Sequence, residues 1–113
     1  MAIQTGRVAI CVPVALELLY SARTRAHYRL LAIDLRRLPI LDVTVAVQTR
    51  AVEAQAALAE RSQHRGATPV DILVAAIAEV HGVVLLHYDR HFDTIARVTG
   101  QPMEWIARRG SLD

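Results

Sequence analysis

Lysine is absent from this 113-residue chain, and all thirteen basic residues are arginine. A coding bias produces such a surface. So does a need for phosphate contacts, because the guanidinium fork matches phosphate oxygens in a way an ammonium group does not. The net charge is nonetheless only +2. Cysteine occurs once, as Cys11 inside an apolar run. An internal disulfide is therefore excluded, a reducing compartment such as the cytoplasm is expected, and the thiol reads as a small buried hydrophobe. Long apolar runs are missing as well. None approaches the roughly 20 residues that cross a bilayer, and Met1 to Arg7 lacks the charged-then-apolar layout of a secretory leader. The expectation is a soluble, unexported protein with no membrane partner. Glycine (5) and proline (4) are sparse, while hydrophobic residues make up 53% and charged residues 21% of the chain. That balance excludes a disordered or low-complexity segment. The length predicts one domain over residues 1–113, with a core that needs neither disulfide nor structural metal.

What is present alternates between two periodicities. The run RVAICV, Arg7 to Val12, is short, rich in β-branched residues and stopped by Pro13, which predicts a buried strand. Pro13 suits the first turn of a helix, and PVALELLYSARTR continues with Leu16, Leu19 and Tyr20 at helical spacing. Glu17 thus falls in the opening turns of a helix that directly follows a strand. A second helix is predicted from Ala26 to Leu35; Pro39 stops it, and Ile40, Leu41 and Val43 form a strand candidate. Thr44 is placed to cap a long Ala-rich helix with an apolar stripe of Val47, Ala51, Ala54 and Leu58, ended by Gly66. In TPVDILVAAIAEVHG, Thr68 reads as the N-cap, Pro69 as N1, Asp71 as N3 and Gly82 as the residue past the end. Apolar side chains surround this helix from Val70 to Ala78, so it should be buried. Val83 to Leu86 predicts a strand, HFDTIARVTG a helix, and MEWIA a short last strand. Alternating strands and helices predict an α/β fold with a parallel sheet, since parallel neighbours need helical crossovers.

In such sheets function collects at the carboxyl ends of strands. Glu17 follows one strand, Asp89 follows another, and Asp71 joins them if its helix starts on the same side. Carboxylates crowded together need protonation or a cation, and an all-oxygen set favours magnesium or manganese over zinc. A hard cation held by acids is suited to phosphodiester hydrolysis. Each acid also has a purely structural reading. Asp71 fits a Thr-x-x-Asp capping box, Glu17 a solvated helix acid, and Asp89 or Asp93 an N-cap for the helix at Phe92. His87 and His91 are four apart, yet Asp89 and Arg90 mark a turn between them, so they do not form a helical zinc pair with or without His81. His27 and His64 sit in polar surroundings, and RSQHRG reads as a solvated helix end.

Together, AICVPVALELLYSAR, ATPVDILVAAIAEVHGVVLLHYDRHFDTIA and TGQPMEWI resemble the PIN-domain family, and within it the VapC ribonuclease toxins of toxin–antitoxin pairs. The resemblance implies a three-layer α/β/α fold and magnesium- or manganese-dependent endonucleolytic cleavage of RNA, with tRNA or rRNA as the target class. It places Glu17, Asp71 and Asp89 in the acidic pocket and Asp93 at its rim. It also implies a VapB-type antitoxin and a homodimer. Two departures stand out. The family opens on a central strand ending in Asp, whereas Met1 to Gly6, MAIQTG, resembles the tail of the following helix, so the first strand is expected to be missing. His91 stands where many relatives carry a second Asp in a D-x-D-F turn. The first departure leaves a second expectation beside the ribonuclease: a catalytically impaired remnant that binds an antitoxin or an intact copy.

Overall fold

A computed structural model describes the backbone at residues 2–4, 7–87 and 90–105, and side chains at residues 9–85 and 91–103. The elements run β1 (Ala2–Gln4), β2 (Arg7–Ala9), α1 (Val12–Tyr20), α2 (Arg25–Leu35), α3 (Val45–Glu60), α4 (Pro69–Val80), β3 (Leu85–His87), α5 (Arg90–Thr99) and β4 (Met103–Trp105). Two strands, four consecutive helices and a final strand–helix–strand unit make a helix-rich α/β chain.

The parallel pairing that the α/β reading requires is present in two places. β3 and β4 pair in parallel, with Leu85 opposite Met103 and His87 opposite Trp105, and α5 is the crossover between them. Ile10 bridges in parallel to Ile40, through Ile10 N–H donating to the Pro39 carbonyl at 2.9 Å and Leu41 N–H to the Ile10 carbonyl at 2.8 Å. The strand candidate around Ile40 is limited to that bridge. The N-terminus differs from expectation. Instead of a helical tail, Ala2–Gln4 pairs antiparallel with Arg7–Ala9, Ile3 opposite Val8. Two residues separate the partners, the spacing of the tightest hairpins, and so short a segment cannot offset the cost of nucleating a helix. β1 approaches β3 without hydrogen-bonding to it.

The helix signals act as their chemistry requires. Thr44 and Thr68 cap α3 and α4, their hydroxyls accepting from Val47 N–H at 3.2 Å and Asp71 N–H at 3.1 Å. Gly82, at φ 69°, ends α4 in a Schellman turn: Val83 N–H reaches the Ala78 carbonyl at 3.0 Å and Gly82 N–H the Glu79 carbonyl at 3.1 Å. α3 stops at Glu60, earlier than Gly66, through the same motif built on a serine. Ser62 takes the left-handed conformation at φ 56°, Gln63 N–H bonds the Leu58 carbonyl at 2.8 Å, and Ser62 N–H bonds the Ala59 carbonyl at 2.9 Å.

The core lies between α3 and α4. Val47, Ala54 and Leu58 from α3 meet Ile72, Val74, Ala75, Ala76, Ile77 and Ala78 from α4, with Ile95 of α5 and Leu85 of β3 closing the cluster. Arg50 forks across this contact onto both carboxylate oxygens of Glu79, which holds the guanidinium more firmly protonated. Gln101, polar and buried, donates from Nε2 to the Ala75 carbonyl at 2.9 Å. Cys11 is buried and unbridged, and burial pushes its thiol pKa up. Among the described residues no helix is long and apolar enough to cross a membrane.

Leu58 has no exposed surface, so Leu58→Ala should cost about 2–5 kcal/mol in urea denaturation. At Gly82 an added Cβ would meet nothing within 4 Å. Gly82→Ala should therefore cost only the left-handed backbone strain, about 1–2 kcal/mol. A loss at Gly82 as large as that at Leu58 would contradict this division.

Candidate active site

Two helix N-termini meet at the carboxyl end of β3. α5 starts at Arg90, three residues after β3 ends at His87. α4 precedes β3 through the tight Gly82 turn, so α4 runs back against the strand and its first turn returns to the same edge. Asp71, in the first turn of α4, and His91, in the first turn of α5, are in contact there: His91 Nδ1 lies 3.2 Å from Asp71 Oδ2. The Asp71 side chain is 21% exposed and that of His91 41%, so the pair faces solvent from a partly covered position. Both helix ends present partial positive charge to it.

Half of the expected capping box forms. Thr68 accepts from the Asp71 N–H, but among the described residues the Asp71 carboxylate does not return a bond to the Thr68 N–H. It engages His91 instead. The cap is therefore supplied by the threonine, and the acid is left for the site.

Glu17 is brought near but not into contact. It is exposed on α1 and lines an open groove of about 510 Å³ with Val12, Pro13, Leu16 and Tyr20 on its own helix and Val70 and Leu73 on α4. Val70 immediately precedes Asp71 in sequence, and Leu73 follows it by two positions. Among the described residues Glu17 makes no hydrogen bond or ion pair. Asp89, the third predicted acid, lies outside the described residues. Asp93 is half-buried in the first turn of α5. With α5 starting at Arg90, it stands inside the helix rather than capping one that begins at Phe92. His87 closes β3 while His91 opens α5, so the two do not share a helix face. Among the described residues no three of His, Cys, Asp and Glu converge as a ready-made metal cage. His91 was legible only as a departure from a motif; its partner is twenty residues away, and no local signal links them. The α4–β3–α5 path, which returns both helix starts to one strand edge, is the feature that brings them together.

An α/β chain with acids at helix starts on one strand edge has the layout of an edge-site enzyme. The chain belongs to the PIN-domain family, whose model matches residues 1–98. Among curated proteins it is similar to Ribonuclease VapC18 of Mycobacterium tuberculosis, 40% identical over 113 residues, covering 98% of this chain and 82% of the relative. It is also similar to Ribonuclease VapC51 of the same organism, 43% identical over 110 residues, covering 97% of this chain and 80% of the relative. Among solved structures, a chain of the VapBC2 complex from Rickettsia felis, crystallised with a DNA fragment from their promoter, matches with a TM-score of 0.74. That match is 21% identical and covers 89% of this chain and 76% of the other, a likeness of fold.

Because the cap belongs to Thr68, Asp71→Asn should change stability by about 1 kcal/mol or less, while Thr68→Ala should cost about 1 kcal/mol. Thermal or urea unfolding of the two variants checks this; a larger loss for Asp71→Asn would return that side chain to a structural role.

Proposed function

We propose that this chain is the toxin of a VapBC-type toxin–antitoxin pair, a magnesium- or manganese-dependent endoribonuclease that hydrolyses phosphodiesters of structured RNA such as tRNA or rRNA. Similarity along nearly the whole chain to two VapC ribonucleases carries the reading. The edge site described above is compatible with it. Residues 1–113 are read as one unit, a three-layer α/β/α arrangement. The proposed location is the cytoplasm, the proposed partners a VapB-type antitoxin and a second copy of the chain.

The donor set fits a hard cation. Asp71 offers a half-buried carboxylate at the positive ends of two helices, and Glu17 stands across the adjoining groove. Magnesium commonly keeps several waters and takes only one or two carboxylates plus substrate phosphate, so the absence of a closed cage among the described residues is no obstacle. Asp71 and Asp89 would hold the cation, with Glu17 and Asp93 as further candidates. When bound, it would supply charge neutralisation at the phosphodiester and a more acidic water. The chain's own residues have distinct tasks. Asp71 is fixed in direction by the capped first turn of α4. Glu17 is exposed and, among the described residues, unpaired, and takes the proton of the attacking water or orients that water for in-line attack. The exposed groove side chains Leu16, Tyr20 and Val70 give a stacked base an apolar surface beside Glu17.

Incubation of the 113-residue chain with tRNA and rRNA plus magnesium or manganese should yield endonucleolytic fragments. Asp71→Asn and Asp89→Asn should each lower the rate by about a hundredfold or more, as loss of a ligand or its immediate support does. Cleavage that persists undiminished in both variants would sink the assignment of these acids. No cleavage by any form, together with retained binding of an antitoxin, would favour an impaired PIN remnant.

A further inference from the structure

Asp71 carries two carboxylate oxygens, and one of them is committed. Oδ2 lies 3.2 Å from Nδ1 of His91. An ionised carboxylate can only accept hydrogen bonds, so the ring nitrogen facing it must carry the proton. Among the described residues no other hydrogen bond reaches this carboxylate. The Asp71 backbone is already held, because its N–H is capped by Thr68 at 3.1 Å and it sits one residue before the buried Ile72. The remaining freedom is rotation of the side chain, and His91 is the group that limits it. His91 is itself anchored by α5, whose Ile95 has no exposed surface.

We infer that His91 is a positioning residue: its Nδ1–H holds Oδ2 of Asp71 and leaves Oδ1 as the oxygen that receives the divalent cation, without the imidazole binding the cation itself. The inference rests on Asp71 being a metal ligand. An aspartate in the same place would set two carboxylates against each other, each acceptor-only, and would need the cation between them to be comfortable. The imidazole supplies a donor and no negative charge, so it fixes Asp71 with the cation present or absent. Carboxylates that bind metals are characteristically held by such outer hydrogen bonds.

Three substitutions at one position separate the roles of the ring atoms. In His91→Asn the amide nitrogen stands in for Nδ1; in His91→Gln it stands in for Nε2; His91→Ala supplies neither. Titration calorimetry with Mn2+ alone on the 113-residue chain should give His91→Asn an affinity within about twofold of wild type. His91→Gln and His91→Ala should be weaker by about tenfold or more, the usual effect of losing an outer-shell partner. Retention by Gln with loss in Asn would overturn the inference in favour of direct ligation through Nε2, and wild-type affinity in Ala would overturn it outright. Asp71→Asn serves as the control for the underlying reading. If it binds Mn2+ like wild type, Asp71 is not a ligand and both ideas fall; if it loses binding while His91→Ala does not, only the positioning role fails. Long-range 1H–15N correlation spectra give a readout independent of metal. The neutral His91 ring should be protonated on Nδ1 in the wild type and should lose that preference in Asp71→Ala. A ring protonated on Nε2 in the wild type would remove the hydrogen bond on which the inference stands.

Discussion

The packing of α4 against α3 is the contact on which the other features depend. Small side chains, Ala54 on one helix and Ala75 and Ala76 on the other, let the two backbones approach closely, while Val74, Ile77 and Ala78 turn to the strand side with Cys11, Leu41 and Leu85. The Arg50–Glu79 fork spans the same interface and resists sliding of one helix along the other. A fixed α4 fixes its first turn, and with it the direction of Asp71. Gln101 bonds to the backbone of the same helix, so the segment leading into β4 is registered on α4 as well as on β3. The chemistry at one edge thus inherits its geometry from an apolar contact behind it.

A division of labour follows at the start of α4. In a full capping box the acid at N3 would be saturated by the backbone it caps. Here the threonine hydroxyl supplies the cap and the carboxylate turns to a side chain on another helix. One turn of helix therefore carries a hydroxyl that serves its own backbone and a carboxylate that reaches another helix, three residues apart. Membership in the PIN-domain family and the likeness to VapC ribonucleases give that turn its chemical meaning, since an acid opening the corresponding helix is what the family resemblance led one to expect.

Much of this was readable before any coordinates, wherever the signal was local. Thr44, Thr68, Pro69 and Gly82 announced three helix ends through backbone chemistry that neighbours a few residues away cannot override. The stripe Val47–Ala51–Ala54–Leu58 identified the inner face of α3. The end of α3 was misread because Ser62 occupies the left-handed conformation usually left to glycine, and nothing in its composition advertises that. The N-terminal strand was misread because three residues carry no periodicity, and pairing with β2 decides their state. At the site, Asp71 and Glu17 stood out by position, whereas the partner of Asp71 was hidden. The His91 contact closes over twenty intervening residues, and only the path of α4, β3 and α5 creates it.

Glu17 on α1 and Asp71 on α4 belong to parts of the molecule with different opening costs. α4 contributes six buried residues, whereas α1 and α2 contribute none, although Ile10 and Cys11 just before α1 are buried. Local opening is easiest where few apolar contacts are lost, so α1 and α2 form the low-stability end of the chain and the α3–α4 pair the high-stability end. Amide protons of α1 would exchange through small excursions that leave α4 closed. Glu17 rides on the element that breathes and Asp71 on the one that does not, so the spacing between them is a fluctuating quantity. Anything that binds both is then bound partly at the expense of those fluctuations, and tightens α1 onto the core as it does so.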